Sequence, residues 1–116
     1  MKPRRAFIGT VATAALTVSL TAIPAAQAAP AADCNLGTPI NGNYDDIDTT
    51  VDSTPARTGP YQACRQVATI PANSSLYVSC YVTNSYGNTW SYEWLRGFWI
   101  YDAHFLDGGA GTRCVF

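Results

Sequence analysis

The strongest β-strand pattern in the chain lies in residues 76–101, which read LYVSCYVTNSYGNTWSYEWLRGFWIY. β-Branched and aromatic residues fill the first part of this stretch, and an Asn-Ser-Tyr-Gly-Asn segment with turn chemistry follows. After that turn, Trp90, Tyr92 and Trp94 alternate in the sequence, which places them on one face of a strand. An Arg-Gly pair then favours a tight hairpin connection. We therefore predict strands over Leu76–Thr83, Thr89–Leu95 and Phe98–Tyr101.

Weaker patterns flank this stretch on both sides. β-Branched residues in Cys64–Ile70 predict a further strand, and Ile47–Val51 predicts a short one. Asp52–Ala56 is poor strand material, because a proline such as Pro55 is tolerated only at a sheet edge. Asp102–Leu106 is typical of a single helical turn. No stretch after residue 28 keeps a helical periodicity, so the sequence predicts an all-β fold, either a small antiparallel barrel or a sandwich.

The first 28 residues have the pattern of a bacterial secretory signal. Residues 1–5 carry three positive charges, residues 6–23 are mostly apolar, and Ala26-Gln27-Ala28 fits a cleavage site. An uncleaved membrane anchor is the alternative, but the threonines in the apolar segment and the cleavage site argue against it. The pair Arg4-Arg5 leaves Sec and twin-arginine export both open. We expect a secreted, extracellular protein.

Removal of the signal leaves 88 of the 116 residues, which is enough for one hydrophobic core. Four of the seven basic residues then stand against all eight acidic ones, a net charge of −4. This charge argues against nucleic acid and against an anionic membrane as partner. The chain has one histidine, His104, so a multi-histidine metal site is not expected.

All four cysteines follow the signal, and an even number in a small exported chain indicates two disulfide bonds. Four cysteines allow three connectivities. We favour Cys64–Cys80, which would join the two strands of a hairpin, together with Cys34–Cys114, which would join the ends of the exported domain. A metal site is disfavoured because the chain has no Cys-x-x-Cys pair.

Six short motifs follow one another between residues 51 and 107. They are Arg57-Thr58-Gly59-Pro60, Val67–Asn73, Leu76–Val82, Trp90, Gly97-Phe98-Trp99-Ile100 and Asp102–Leu106. Together they resemble the bacterial SH3-like (SH3b) domain family. The resemblance implies a small, strongly bent SH3-like antiparallel barrel of five or six strands. It also implies an exported, non-enzymatic binding module, since some members bind peptidoglycan cross-bridges or cell-wall peptides. We accordingly divide the chain into a signal peptide (1–28), a loop-rich N-terminal extension (29–50) and an SH3-like domain (51–116).

Aromatic residues supply the candidate binding surface. Thirteen of the 88 residues after the signal are Phe, Trp or Tyr, whose rings suit peptide, proline and sugar contacts. In the last strand, inward-facing Phe98 and Ile100 would leave their neighbours facing a groove. The alternative is that most rings form the core, since Leu and Ile are scarce. The predicted ligand-binding residues are Tyr61, Tyr86, Trp99, Tyr101 and Asp102.

Three other groups of polar residues are explained without catalysis or metal binding. His104 is expected to be a surface or capping residue; the alternative is a pH-responsive ligand contact. Ser91, His104 and Asp102 could be arranged on paper as a triad, but no nucleophile elbow supports it. The oxygen-rich loop from Asn41 to Asp52 lacks the glycine and glutamate of a calcium loop, so we expect a solvated loop.

The sequence therefore predicts a secreted binding module without enzymatic activity, cofactor or metal ion. Its groove would recognise a cell-wall peptide or a similar extended ligand, so peptidoglycan or an extracellular protein is the expected partner. We expect a monomer that does not contact the membrane once the signal is removed. The alternative is a secreted inhibitor or toxin-like protein that presents Tyr86-Gly87-Asn88, or Arg57, to an extracellular enzyme.

Overall fold

The computed structural model describes residues 31–42 and 46–116. Six strands and one short 3-10 turn form within these residues. They are β1 (Asp46–Thr49), β2 (Thr54–Arg57), β3 (Gln66–Ile70), β4 (Ser75–Thr83), β5 (Thr89–Glu93), β6 (Phe98–Tyr101) and the 3-10 turn Asp102–His104. The described residues contain no α-helix, so the prediction of an all-β fold is confirmed.

The six strands form one antiparallel sheet in the order β1-β4-β5-β6-β2-β3. β4, β5 and β6 are consecutive neighbours, as the strand pattern predicts. The hairpin between β5 and β6 depends on Gly97, whose φ is +74°, and on a hydrogen bond from its N–H to the Glu93 carbonyl at 2.9 Å. The sheet is not closed, because β3 and β1 lie at its two edges.

β2 is the strand that the sequence pattern did not predict. It lies between β3 and β6, although Pro55 cannot donate a backbone hydrogen bond. Its ladder to β6 consists of one register pair, Arg57 with Trp99, so that ladder does not extend to Pro55. A register shift between Ala56 and Arg57 also interrupts its ladder to β3. A short, irregular strand therefore accommodates proline away from the outermost edge.

The two faces of the sheet carry different side chains. One face holds a hydrophobic core in which Phe98 and Ile100 point inward, as expected from the alternation in β6. This core comprises Ala56, Ile70, Leu76, Val78, Phe98, Ile100, Phe105 and Ala110. The opposite face, here called the aromatic face, is formed by Cys80, Trp90, Tyr92, Trp99 and Cys114, with Leu36, Val82, Trp94 and Tyr101 packed against them.

The favoured disulfide pairing is wrong. The bonds join Cys34 to Cys64 and Cys80 to Cys114. The favoured pairing assumed that β3 and β4 form a hairpin, but β3 pairs with β2, and β4 pairs with β1 and β5. The C-terminal segment instead lies beside β4, where the Tyr81 N–H donates to the Thr112 carbonyl at 2.8 Å. This parallel contact brings Cys114 next to Cys80.

The predicted N-terminal extension contributes to the same sheet. β1 pairs with β4 through Ile47 and Tyr77, and Cys34 fixes the start of the described chain to the loop before β3. The predicted signal peptide, residues 1–28, lies outside the described residues. Within the described part of the chain, no helix is long and apolar enough to cross a membrane.

Candidate functional site

Cross-strand pairing builds the aromatic face in two rows. One row runs from Val82 through Trp90 to Tyr101, and Trp90 and Tyr101 are register partners with ring centroids 5.4 Å apart. The other row runs from Cys80 through Tyr92 and Trp99 to Arg57.

The N-terminal segment lies beside Trp99 in the second row, and Trp90 in the first row is also buried, at 5% exposed. Leu36 packs against the aromatic face, and a depression beside Trp99 is bordered by Cys34, Asn35, Gly37 and Thr38. Trp99 is consequently only 2% exposed. The first row remains open to solvent near Tyr101.

That open half forms a groove of about 460 Å³, here called the Tyr101 groove. Sheet residues and loop residues contribute to it together. It is lined by Asp52, Pro55, Arg57, Gln62, Asn88, Trp90, Tyr101, Ala103 and His104. The groove thus combines two aromatic rings with two side-chain amides and a small number of charged groups, a composition that suits a polar, extended ligand.

A second depression of about 500 Å³, here called the Tyr86 groove, adjoins the first. It shares Gln62 and Asn88 with the Tyr101 groove. Its remaining lining residues are Ala32, Tyr61, Ala63, Asn84 and Tyr86. Tyr61 and Tyr86 meet edge to face with centroids 6.1 Å apart, so two rings also define this groove.

The side chain of Asn84 holds the β4–β5 loop that carries Tyr86. Asn84 is 8% exposed, and its Oδ1 accepts hydrogen bonds from the N–H groups of Tyr86 (3.0 Å) and Asn88 (3.1 Å). Its Nδ2 donates to the Pro60 carbonyl at 2.8 Å. One buried amide therefore fixes this loop and joins it to the loop that carries Tyr61.

The titratable groups of the Tyr101 groove are Arg57 and a hydrogen-bonded pair, His104 and Asp52. His104 Nδ1 lies 2.7 Å from Asp52 Oδ1, and the His104 ring also meets Tyr101 edge to face. Arg57 donates from Nη1 to the Cys64 carbonyl at 3.1 Å. The contact between His104 and Asp52 is the only one within salt-bridge distance among residues 31–42 and 46–116, so Arg57 forms no ion pair with the described carboxylates.

Three of the five predicted ligand-binding residues, Tyr61, Tyr86 and Tyr101, line the two grooves. Trp99 lies under the N-terminal segment instead. Alternation along β6 correctly predicts Trp99 on the aromatic face, but no local pattern indicates that another segment lies over it. Asp102 also lies outside the residues that line either groove.

Asp102, the first residue of the 3-10 turn, belongs to a cluster of hydrogen-bonded polar groups. Ser91 donates to its Oδ1 at 2.6 Å, and the Ala110 N–H donates to the Ser91 hydroxyl oxygen at 2.9 Å. Nearby, the buried carboxylate of Asp48 accepts from the N–H groups of Asp107 and Gly109 at 3.1 and 2.8 Å. These bonds hold the loop after the turn against the sheet.

Burial raises the pKa of the Asp102 carboxyl group to about 6. The hydrogen bond from Ser91 opposes this increase, and the negative charge of Asp48 adds to it. A catalytic acid can show such a shift, but Ser91 bonds to Asp102 while His104 bonds to Asp52. No hydrogen bond between described residues joins Ser91 to His104, so the three residues do not form a triad.

Within the described ranges, no group of three or more His, Cys, Asp or Glu residues could hold a metal ion. Asp48 of the candidate calcium loop directs its carboxylate toward backbone N–H groups, whereas Asn43 and Asp45 lie outside the described residues.

Sequence reasoning missed the polar residues of the grooves. Gln62, which with Asn88 connects the two depressions, and Asn84, which supports one of them, were not predicted, and Asn88 was predicted only as part of a loop presented to an enzyme. From the sequence, the asparagines of the Asn-Ser-Tyr-Gly-Asn loop are predicted only to be turn residues. Asparagine favours turns because its side chain bonds to nearby backbone, and such bonds are also how Asn84 supports Tyr86.

No protein-family model matches the chain, nor does any curated protein or any solved structure.

Proposed function

We propose that this protein is a secreted, non-enzymatic binding module that holds an extended ligand, such as a cell-wall peptide, along the Tyr101 and Tyr86 grooves. The observation that carries the proposal is that the two grooves adjoin and share Gln62 and Asn88, so four aromatic rings line one path. Rings with few rotatable bonds give contact area at low entropic cost, while the amides can bond to a backbone.

The proposed relation to bacterial SH3-like domains is supported by strand order. β6 pairs with β2 and β2 with β3, so the first and last strands of residues 51–116 are joined, whereas β3 and β4 are not, because β1 and β5 occupy the two edges of β4. The gap between β3 and β4 is lined by core residues such as Ile70, Leu76 and Phe98. A bent sheet with one open seam is the arrangement that we propose.

The proposed secretion is supported by the signal-like sequence of residues 1–28 and by the disulfides. All four cysteines are bonded, and none is free. Two such bonds are consistent with an extracellular or otherwise oxidising environment.

Co-sedimentation with purified peptidoglycan tests the function. Tyr101→Ala and Tyr86→Ala each remove an aromatic ring from one groove and should reduce the bound fraction at least about fivefold. Tyr77→Ala is the matched control, since Tyr77 is 40% exposed but lines neither groove. The wild type and the control should bind equally. Equal, negligible sedimentation of all four proteins would exclude peptidoglycan as the ligand.

A second candidate function rests on the β4–β5 loop. Tyr86 is 54% exposed at the tip of a loop that Asn84 fixes, and rigid exposed loops are what enzyme inhibitors present. We propose inhibition of an extracellular enzyme as the alternative. Stoichiometric inhibition in a screen of extracellular proteases and glycosidases, lost in Tyr86→Ala but kept in Tyr101→Ala, would favour it over the groove proposal.

A further inference from the structure

Among the described residues, Arg57 of the Tyr101 groove forms no ion pair with a carboxylate. Arg57 is half-buried and uses Nη1 to donate to the Cys64 carbonyl. The nearby carboxylate of Asp52 is bonded to His104 at 2.7 Å. A guanidinium has five N–H donors in a planar fork, so donors remain after the one bond to Cys64. Such a group matches a carboxylate.

The N-terminal segment borders the Arg57 end of the groove. Arg57 is the register partner of Trp99, and Trp99 lies beneath the N-terminal segment. The next residue, Thr58, borders the same covered depression. In the other direction, the path continues past Asn88 and Gln62 into the Tyr86 groove. An extended chain can therefore leave Arg57 toward the Tyr86 groove without crossing that segment.

We propose that Arg57 binds the C-terminal carboxylate of an extended peptide, whose preceding residues lie over Trp90 and Tyr101. This rests on the proposed function and names the chemistry of its ligand. The neighbouring N-terminal segment favours a chain terminus over an acidic side chain in mid-chain, because a peptide that continued past Arg57 would have to cross residues 34–38. Removal of this half-buried cation from water is then compensated by a charge-assisted bond.

Binding of synthetic peptides to the full chain with both disulfides formed tests this proposal. The probe is a library of randomised hexapeptides made in three forms. One form has a free C-terminal carboxylate, the second has a C-terminal amide, and the third has a C-terminal amide with aspartate as its last residue. Wild-type protein should bind the best free-acid peptides at least about tenfold more tightly than the same sequences as amides. The aspartate-amide form should not recover this affinity.

Two arginine variants assign the effect to one residue. Arg57→Gln should abolish the preference for free acid over amide. Arg65→Gln is the matched control, because Arg65 is exposed and lines neither groove. It should keep the preference. Since the acid-to-amide ratio is measured within each protein, a general loss of stability cannot produce the expected result.

The outcomes separate this inference from the proposed function. Equal binding of acid and amide forms, with loss of both in Tyr101→Ala, would overturn the carboxylate site and leave the groove as a binding site. Recovery of affinity by the aspartate amide would overturn the assignment to a chain terminus. Absence of binding by every peptide form would overturn the inference and argue against peptide recognition altogether.

Discussion

The carboxyl group of Asp102 makes the free energy of unfolding depend on pH. Its pKa of about 6 lies above the usual value near 4, because burial and the charge of Asp48 disfavour the ionised form. The folded state therefore holds a proton in a range where the unfolded chain has released it. The stabilisation from this group is fully present below about pH 4 and is lost as the pH rises through about 6.

Replacement by asparagine should remove this dependence. Asp102→Asn keeps an oxygen that can accept from Ser91 but has no charge to bury. Relative to wild type, the variant should gain stability between about pH 4 and 6 and keep a constant advantage above that range. Urea unfolding at half-unit pH steps measures this. Asp46→Asn, at an exposed carboxylate, is the matched control for removal of a carboxyl group. Parallel pH profiles of wild type and Asp102→Asn would contradict the expectation.

The sequence predicts correctly which face of the sheet each side chain lies on. It does not predict which of these side chains another segment of the chain buries. Alternation correctly put Trp90, Tyr92 and Trp94 on one face and Phe98 with Ile100 on the other. It could not distinguish Tyr101, which stays open, from Trp99, which is covered. That difference depends on where a separate segment is fixed by a disulfide, and local periodicity contains no information about it.

At the level of elements, strands with strong intrinsic preference were predicted and the irregular one was not. Phe98–Tyr101 was predicted with its observed limits, and the predicted ends of the strands now called β4 and β5 differ from the observed ones by one or two residues. β2 was missed because Pro55 disfavours a strand. Tertiary pairing on both sides outweighed that local preference. Because β3 pairs with β2, it does not form the predicted hairpin with β4.

The β4–β5 loop should depend on Asn84 as a unit. Asn84→Ala removes three hydrogen bonds, from the N–H groups of Tyr86 and Asn88 and to the Pro60 carbonyl. Unfolding should become easier by about 2–4 kcal/mol, with faster amide exchange at residues 86 and 88. Hydrogen exchange followed by NMR measures both effects. Asn35→Ala, at an exposed asparagine, should change neither. Unchanged exchange at Tyr86 in Asn84→Ala would show that the loop has another support.

At the level of the whole molecule, the two disulfides have similar spans and different consequences. Their sequence separations are 30 and 34 residues, so the chain-entropy account gives each about 3.5–4 kcal/mol of stabilisation. That is a large fraction of the total for a domain of this size. Cys34–Cys64, however, fixes the segment that covers Trp99, whereas Cys80–Cys114 fixes the C-terminal segment beside β4.

Removal of each bond should therefore give similar losses of stability and different changes in structure. The double variant Cys34→Ala/Cys64→Ala should release the N-terminal segment and expose Trp99, which shifts tryptophan fluorescence to longer wavelength under folding conditions. Cys80→Ala/Cys114→Ala should be destabilised by a similar amount without that shift, since the segment over Trp99 remains attached.

The Cys34–Cys64 bond packs closely against Gly59, because a Cβ at this position would lie 2.6 Å from Cys34 Cα and 2.9 Å from Cys64 Sγ. If Trp99 contributed to ligand binding only when uncovered, Cys34→Ala/Cys64→Ala would also bind more peptidoglycan than wild type. A fall in binding would instead mean that the N-terminal segment is needed at the Arg57 end of the groove.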